Sequence, residues 1–185
     1  VIYGLDFGFN APTALVKVGI NDNEFYVDEV LYLSSLTNSD LIAELKRHNI
    51  NSYIYCDSAE PQRIEELQRA GLKAKPANKN VTDGLDFIKS KKLHITSDST
   101  NVIREIQEYS WRKKKDGTVE DEPVKFKDHA MDAMRYAIYT HCKDFVEVPV
   151  ITMHGAIYPN KQSPKQSVAE MIASMQLHNR LHHAR

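Results

Sequence analysis

Three aspartates, Asp6, Asp57 and Asp132, stand at positions where a carboxylate calls for an explanation. Asp6 follows Val1, Ile2, Tyr3 and Leu5 in a run whose alternation with Gly4 is that of a strand with two distinct faces. An ionised acid in such a strand is costly to bury unless something pairs with it. Asp57 ends a second apolar run, Ser52-Tyr-Ile-Tyr-Cys-Asp57. Asp132 lies one turn into a strongly helical segment, Asp128-His-Ala-Met-Asp-Ala-Met-Arg-Tyr136. If one fold gathers all three, each pair of carboxylates repels by roughly 4 kcal/mol at an effective dielectric of 20. Such a cluster calls for shared protons or bound cations, and hard oxygen donors suit Mg²⁺ or Mn²⁺. Alone, two of the acids have a plainer use: Asp57 can cap the helix after it, and Asp132 can be a first-turn acid favoured by the helix dipole. Asp6, beside Gly8, has no capping job.

The elements that must position these acids follow from turn and cap signals. Gly8 and Pro12 turn the chain after the first strand, and Thr13 to Ile20 returns as a second. Asn21-Asp-Asn-Glu24 is a turn that leads into a third strand, Phe25 to Leu33. Ser39 or Asn38 then opens a helix striped by Leu41, Ile42 and Leu45. After the strand ending at Asp57, Pro61 opens a helix that Gly71 stops, and Leu72 to Pro76 is a short strand. Thr82 or Asp83 opens the next helix, Leu93 to Thr96 is strand-like, and Ser99 or Thr100 caps a helix along Val102, Ile103, Ile106 and Tyr109. Asp116-Gly117 turns a hairpin between Tyr109–Lys115 and Thr118–Phe126, and Asp128 caps the last long helix, to about His141.

A meander followed by alternating strands and helices gives an α/β fold, a mixed sheet with helices on both faces. This is the element order of a ribonuclease-H-like fold. There the first and fourth strands are parallel neighbours crossed by the last helix, so Asp6, Asp57 and Asp132 would meet in one cleft. His129, three residues before Asp132, shares its helical face and becomes a candidate proton-transfer group. Lys79 follows a strand on the presumed active-site edge and can hold a phosphate. Arg112, Lys113, Lys114 and Lys115 form a basic arm on the hairpin, which can meet DNA phosphates if it reaches over the cleft, with Trp111 supporting its base. The same charges can instead be laced to Glu120-Asp-Glu122 across the turn.

The totals set bounds. With 185 residues, 42% apolar and 26% charged, the chain suits one domain with a real core. Its net charge of -1 gives no global basic signature, so a nucleic-acid surface must be local. No apolar run is long enough for a membrane span, no P-loop is present, and the Asp-Phe-Gly at Asp6 lacks every other kinase signature. Cys56 and Cys142 form no CxxC pair and suit a reducing compartment. Residues 1–144 read as the domain; 145–185, interrupted by Pro149, Gly155, Pro159 and Pro164, reads as a strap with a final helix from Ser167 to His183. A start at Val1, already inside a strand, reads as a piece of a longer polypeptide.

Five blocks in order, GLDFGFNAPTA, YCDSAEP with RIEELQRAGL, KPANKNVTDGLDFIK, YSWRKKKDG and KDHAMDAMRY, resemble the nuclease domain of tailed-phage large terminase subunits from Ile2 to Thr140. The resemblance implies a metal-dependent endonuclease that cuts concatemeric double-stranded viral DNA during genome packaging in the host bacterial cytoplasm. It implies an ATPase domain on the same polypeptide, and a small terminase subunit and a portal protein as partners. Asp6, Asp57 and Asp132 match the family's three acidic metal ligands, and His129 the histidine beside the third. Lys79 falls in a loop that carries a basic residue, and the Asp116-Gly117 hairpin matches one proposed to regulate substrate access. The expected mechanism is two-metal hydrolysis, with one ion on Asp6 and Asp132 and the other on Asp6 and Asp57. Competing expectations are a junction resolvase, a nuclease of RNA–DNA hybrids, an actin-like nucleotide-binding module and a DNA clamp without turnover.

Overall fold

The computed structural model describes residues 1–108, 111–113, 119–123 and 128–144, with 111–113, 119–123 and 144 described by backbone alone. The meander is β1 (Ile2–Asp6), β2 (Thr13–Asn21) and β3 (Glu24–Leu33). The β2–β3 turn is a two-residue connection in which Asp22 and Asn23 both take positive φ, 47° and 63°, as residues of this type tolerate. Then come α1 (Asn38–Arg47), β4 (Ile54–Cys56), α2 (Pro61–Arg69), β5 (Ala74–Pro76), α3 (Val81–Lys89), β6 (Lys92–Ile95) and α4 (Thr100–Glu108). A two-stranded ribbon, β7 (Trp111–Lys113) and β8 (Val119–Pro123), precedes α5 (His129–Asp144). The six-stranded sheet runs β5-β4-β1-β2-β3-β6, with β1 parallel to β4 and antiparallel to β2. The mixed sheet expected from the element order is therefore present.

Strand parity divides the core between two faces. Ile2, Gly4 and Asp6 of β1 share a face with Ala14, Val16, Val18, Phe25, Val27 and Tyr55, and α3, α4 and α5 cover it. Leu5, Leu15, Ile54 and Cys56 point the other way and pack on α1 and α2 through Leu41, Leu45, Ile64 and Leu67. A bulge at Val30, between the pairs Leu15–Leu31 and Val16–Glu29, flips the end of β3. Leu31 thereby joins the α1/α2 face and Tyr32 the α4/α5 face.

The caps depart from expectation at several helices. Thr37, one residue before Asn38, caps α1 in a reciprocal box with Asp40. Asn80 caps α3 by accepting from the Asp83 N–H, ahead of Thr82. Two caps come from far along the chain. Glu29 of β3 accepts from the N–H groups of Asn101 and Val102, both at 2.9 Å, in the first turn of α4. Ser99, expected there, instead accepts from the Glu29 N–H at 2.8 Å. At α5 the N–H groups of Ala130 and Met131 go to Glu105 of α4, at 2.7 and 3.0 Å, rather than to Asp128. The expected strap and helix of 145–185, the Asp116-Gly117 turn, Lys114 and Lys115 lie outside the described residues.

Candidate active site

Asp6 closes β1 and Asp57 follows β4, its neighbour in the sheet. The pairing Leu5–Cys56 and a hydrogen bond from the Asp57 N–H to the Leu5 carbonyl, 3.0 Å, set the two acids side by side at the C-terminal ends of parallel strands. Parity puts Asp6, with Gly4, on the face that α5 crosses. Tyr55 points to that face as well, and Asp57 is two residues on. α5 lies so close to β1 that a Cβ on Gly4 would collide with the Ala133 backbone. His129 and Asp132, in the first turn of α5, are thereby brought over the ends of the strands.

Each acid has a basic partner. His129 Nδ1 is 2.9 Å from Asp6 Oδ2. Lys79 Nζ is 2.7 Å from Asp57 Oδ1, which also accepts the Ala59 N–H at 2.9 Å. Asp57 thus forms a turn ahead of α2, whose cap position belongs to Glu60, so the helix-capping use is set aside. Arg135 Nη2 donates to Asp132 Oδ1 at 2.7 Å. Among the described residues no hydrogen bond reaches Asp6 Oδ1, Asp57 Oδ2 or Asp132 Oδ2. Nor do any three His, Cys, Asp or Glu side chains there stand close enough to enclose a metal ion. Each acid is bonded to its own partner rather than to another acid.

Electrostatics tie them together all the same. Burial pushes the Asp6 carboxyl up to about 6, with the charges of Asp132 and Asp57 adding to the rise and the His129 hydrogen bond opposing it. His129 is raised chiefly by that hydrogen bond. The buried Tyr136 phenol is raised by burial and then by Asp132, Asp6 and Asp57 in turn, so one side chain feels all three.

The model of one family, the terminase RNase-H-like domain, matches residues 6–140, which spans all three acids and His129. The chain belongs to that family. The large terminase subunit of PBSX phage from Bacillus subtilis (strain 168) is 26% identical over 169 residues, 86% of this chain. The chain spans 38% of that relative's length. Among solved structures, the nuclease domain of the SPP1 phage g2p large terminase, solved with Mn bound, superposes with a TM-score of 0.68 at 24% identity, over 77% of this chain and 85% of that one. The P22 large terminase nuclease domain gives 0.62 at 18% identity, over 77% and 80%. At these identities the likeness is one of fold.

In this terminase RNase-H-like domain Lys79, in the loop after β5, reaches Asp57. Arg112 and Lys113 lie on β7, where only the backbone is described, so their reach toward the cleft stays an expectation. Two residues that sequence reading passed over belong to the site's frame. Arg135 was detectable from its spacing of three from Asp132 on one helix. Glu105, 2% exposed, was not: its partners Tyr32, Ala130 and Met131 are brought to it by the fold.

Proposed function

We propose that this chain is the endonuclease domain of a phage large terminase subunit, cutting double-stranded DNA by divalent-metal-dependent phosphodiester hydrolysis. The observation that carries the reading is that Asp6 and Asp57 end neighbouring parallel strands while the first turn of α5 brings Asp132 and His129 over them, with His129 Nδ1 2.9 Å from Asp6 Oδ2. The donor set fits a hard cation. It offers carboxylate oxygens only, with one oxygen of each acid outside any hydrogen bond among the described residues, and a buried Asp6 whose charge is under-compensated. The Mn of the SPP1 relative supports the same choice.

Asp6 and Asp132 would hold one Mg²⁺ or Mn²⁺, and Asp6 and Asp57 a second. When bound, such ions activate a water for in-line attack and stabilise the departing 3′ oxygen. The protein's own groups do the rest. His129 fixes Asp6 through Oδ2 and stands ready to accept or pass a proton at its ring nitrogen. Lys79, 44% exposed at its side chain, can trade Asp57 for a DNA phosphate. The basic arm at Arg112, Lys113, Lys114 and Lys115 would add phosphate contacts. Binding is sequence-neutral and salt-sensitive, so the choice of cut site falls to partners: the ATPase domain of the same polypeptide, the small subunit and the portal, in the host cytoplasm. No described helix is long and apolar enough to cross a membrane.

The test is cleavage of supercoiled plasmid with Mn²⁺, Mg²⁺ or EDTA, beside four-way junction and RNA–DNA hybrid substrates. Metal-dependent cutting of duplex DNA that Asp6→Asn abolishes is expected. Cutting in EDTA, or unchanged cutting by the variant, would overturn the proposal.

A further inference from the structure

Arg135 is among the largest fully enclosed side chains, at 1% exposure, and none of the chemistry above uses it. A guanidinium taken out of water costs several kcal/mol unless it is well matched, so its partners are informative. Nε and Nη2 both converge on one atom, Asp132 Oδ1, at 3.3 and 2.7 Å. Nη1 reaches the Asn80 carbonyl at a long 3.4 Å. Room for the stem comes from Gly84, where a Cβ would lie 2.8 and 2.9 Å from Arg135 Cδ and Cγ.

The fork therefore spans two parts of the cleft. Asn80 ends the loop that carries Lys79, and the same loop is held to α5 a second time where the Asn78 N–H donates to Thr140 Oγ1 at 2.9 Å. Lys79 sits between these two attachments and meets Asp57. A planar guanidinium is a rigid, always charged fork, unlike a lysine ammonium. It anchors the Asp132 carboxylate by Oδ1 and leaves Oδ2 outside any hydrogen bond among the described residues.

We propose that Arg135 is a positioning residue of the acid cleft: it commits Asp132 Oδ1, so that Oδ2 is the oxygen offered to a divalent cation, and ties the Lys79 loop to the same helix. This rests on the nuclease reading above. The test is calorimetric titration of Mn²⁺ into the metal-free 185-residue chain and its Arg135→Gln, Arg135→Lys and Asp132→Asn variants, each checked for fold by circular dichroism. Asp132→Asn loses the binding of the ion assigned to Asp6 and Asp132. Arg135→Gln weakens it about 10–100-fold, the range seen when a group that orients a metal ligand is removed. Arg135→Lys, which keeps the charge without the fork, also binds more weakly than the wild type and serves alone if the Gln variant does not fold. Methylguanidinium restores part of the affinity to Arg135→Gln but not to Asp132→Asn. Wild-type affinity in a folded Arg135 variant, with binding lost in Asp132→Asn, overturns the role of Arg135 and leaves the nuclease reading standing. Wild-type affinity in Asp132→Asn overturns the metal-site reading itself.

Discussion

Gly4 and Ala133 meet backbone to backbone: a Cβ on the glycine would lie 1.7 Å from the Ala133 carbonyl oxygen. Gly4 is two residues before Asp6, and Ala133 is the residue after Asp132. The contact that lets α5 settle on β1 is therefore also the one that brings the two acids together. Because the obstructing atom is main chain, no rotamer can yield. Gly4→Ala is expected to cost about 3 kcal/mol or more, the scale of overpacking that moves a whole element. Gly19→Ala is the control: its Cβ would sit 3.6 Å from the Tyr26 Cβ, ordinary contact, and the change should stay within about 1 kcal/mol. Urea unfolding of the two variants decides.

The buried acid makes stability depend on pH in a defined direction. Asp6 is raised from 3.8 to about 6, so the folded chain holds its proton more tightly than the unfolded one. The penalty is absent below 3.8, grows through the interval and is complete above about 6. His129, also raised, adds stability that is full below its ordinary value of 6.5 and fades as pH climbs past its folded value, so it acts in the same sense. In EDTA the Tm of the wild type should fall between pH 4 and pH 8. Asp6→Asn removes the buried charge and should be the more stable protein at pH 7, on the order of 2 kcal/mol, with a flatter profile. A thermal series across pH checks both.

Glu105 satisfies three donors at once: the Tyr32 hydroxyl at 2.7 Å and the N–H groups of Ala130 and Met131. Glu105→Ala strands all three in a buried setting and is expected to lose about 3 kcal/mol. Tyr32→Phe, which removes one donor and leaves the helix cap, should lose about 1 kcal/mol. The double variant should fall short of the sum, since both changes act on one network. Chemical denaturation of the four proteins measures the coupling.

Lys79 should matter to DNA and little to the fold. Its ion pair with Asp57 is half exposed on the lysine side, and pairs of that kind contribute about 0–1 kcal/mol. Lys79→Met should leave the unfolding midpoint nearly unchanged. It should weaken duplex binding uniformly across sequences and lower the salt slope by about one. Fluorescence anisotropy at several ionic strengths reads both effects.

What could be read in the chain, and what could not, divides by the range of the interactions. Asp6 stood out because a strand acid beside Gly8 has no capping job, and the order of elements carried the sheet. Thr37 and Asn80 displaced the expected caps by one to three residues because several polar side chains in a row offered the same local bond. Glu29 and Glu105 could not be found by any local rule. Each reaches a helix N-terminus 72 to 73, or 25 to 26, residues onward, where only the finished fold puts it. The bulge at Val30, which turns Tyr32 toward Glu105, gives no signal in composition or spacing.

The Glu105 bond to α5 has a mechanical consequence. In the chain, β7 and β8 fall between Glu105 and Ala130, the two residues that this bond joins. A single carboxylate thus ties α4 to the first turn of α5 on either side of the ribbon's place in the sequence. A load that would part the two helices is carried by that bond, in the same turn that holds His129 and Asp132.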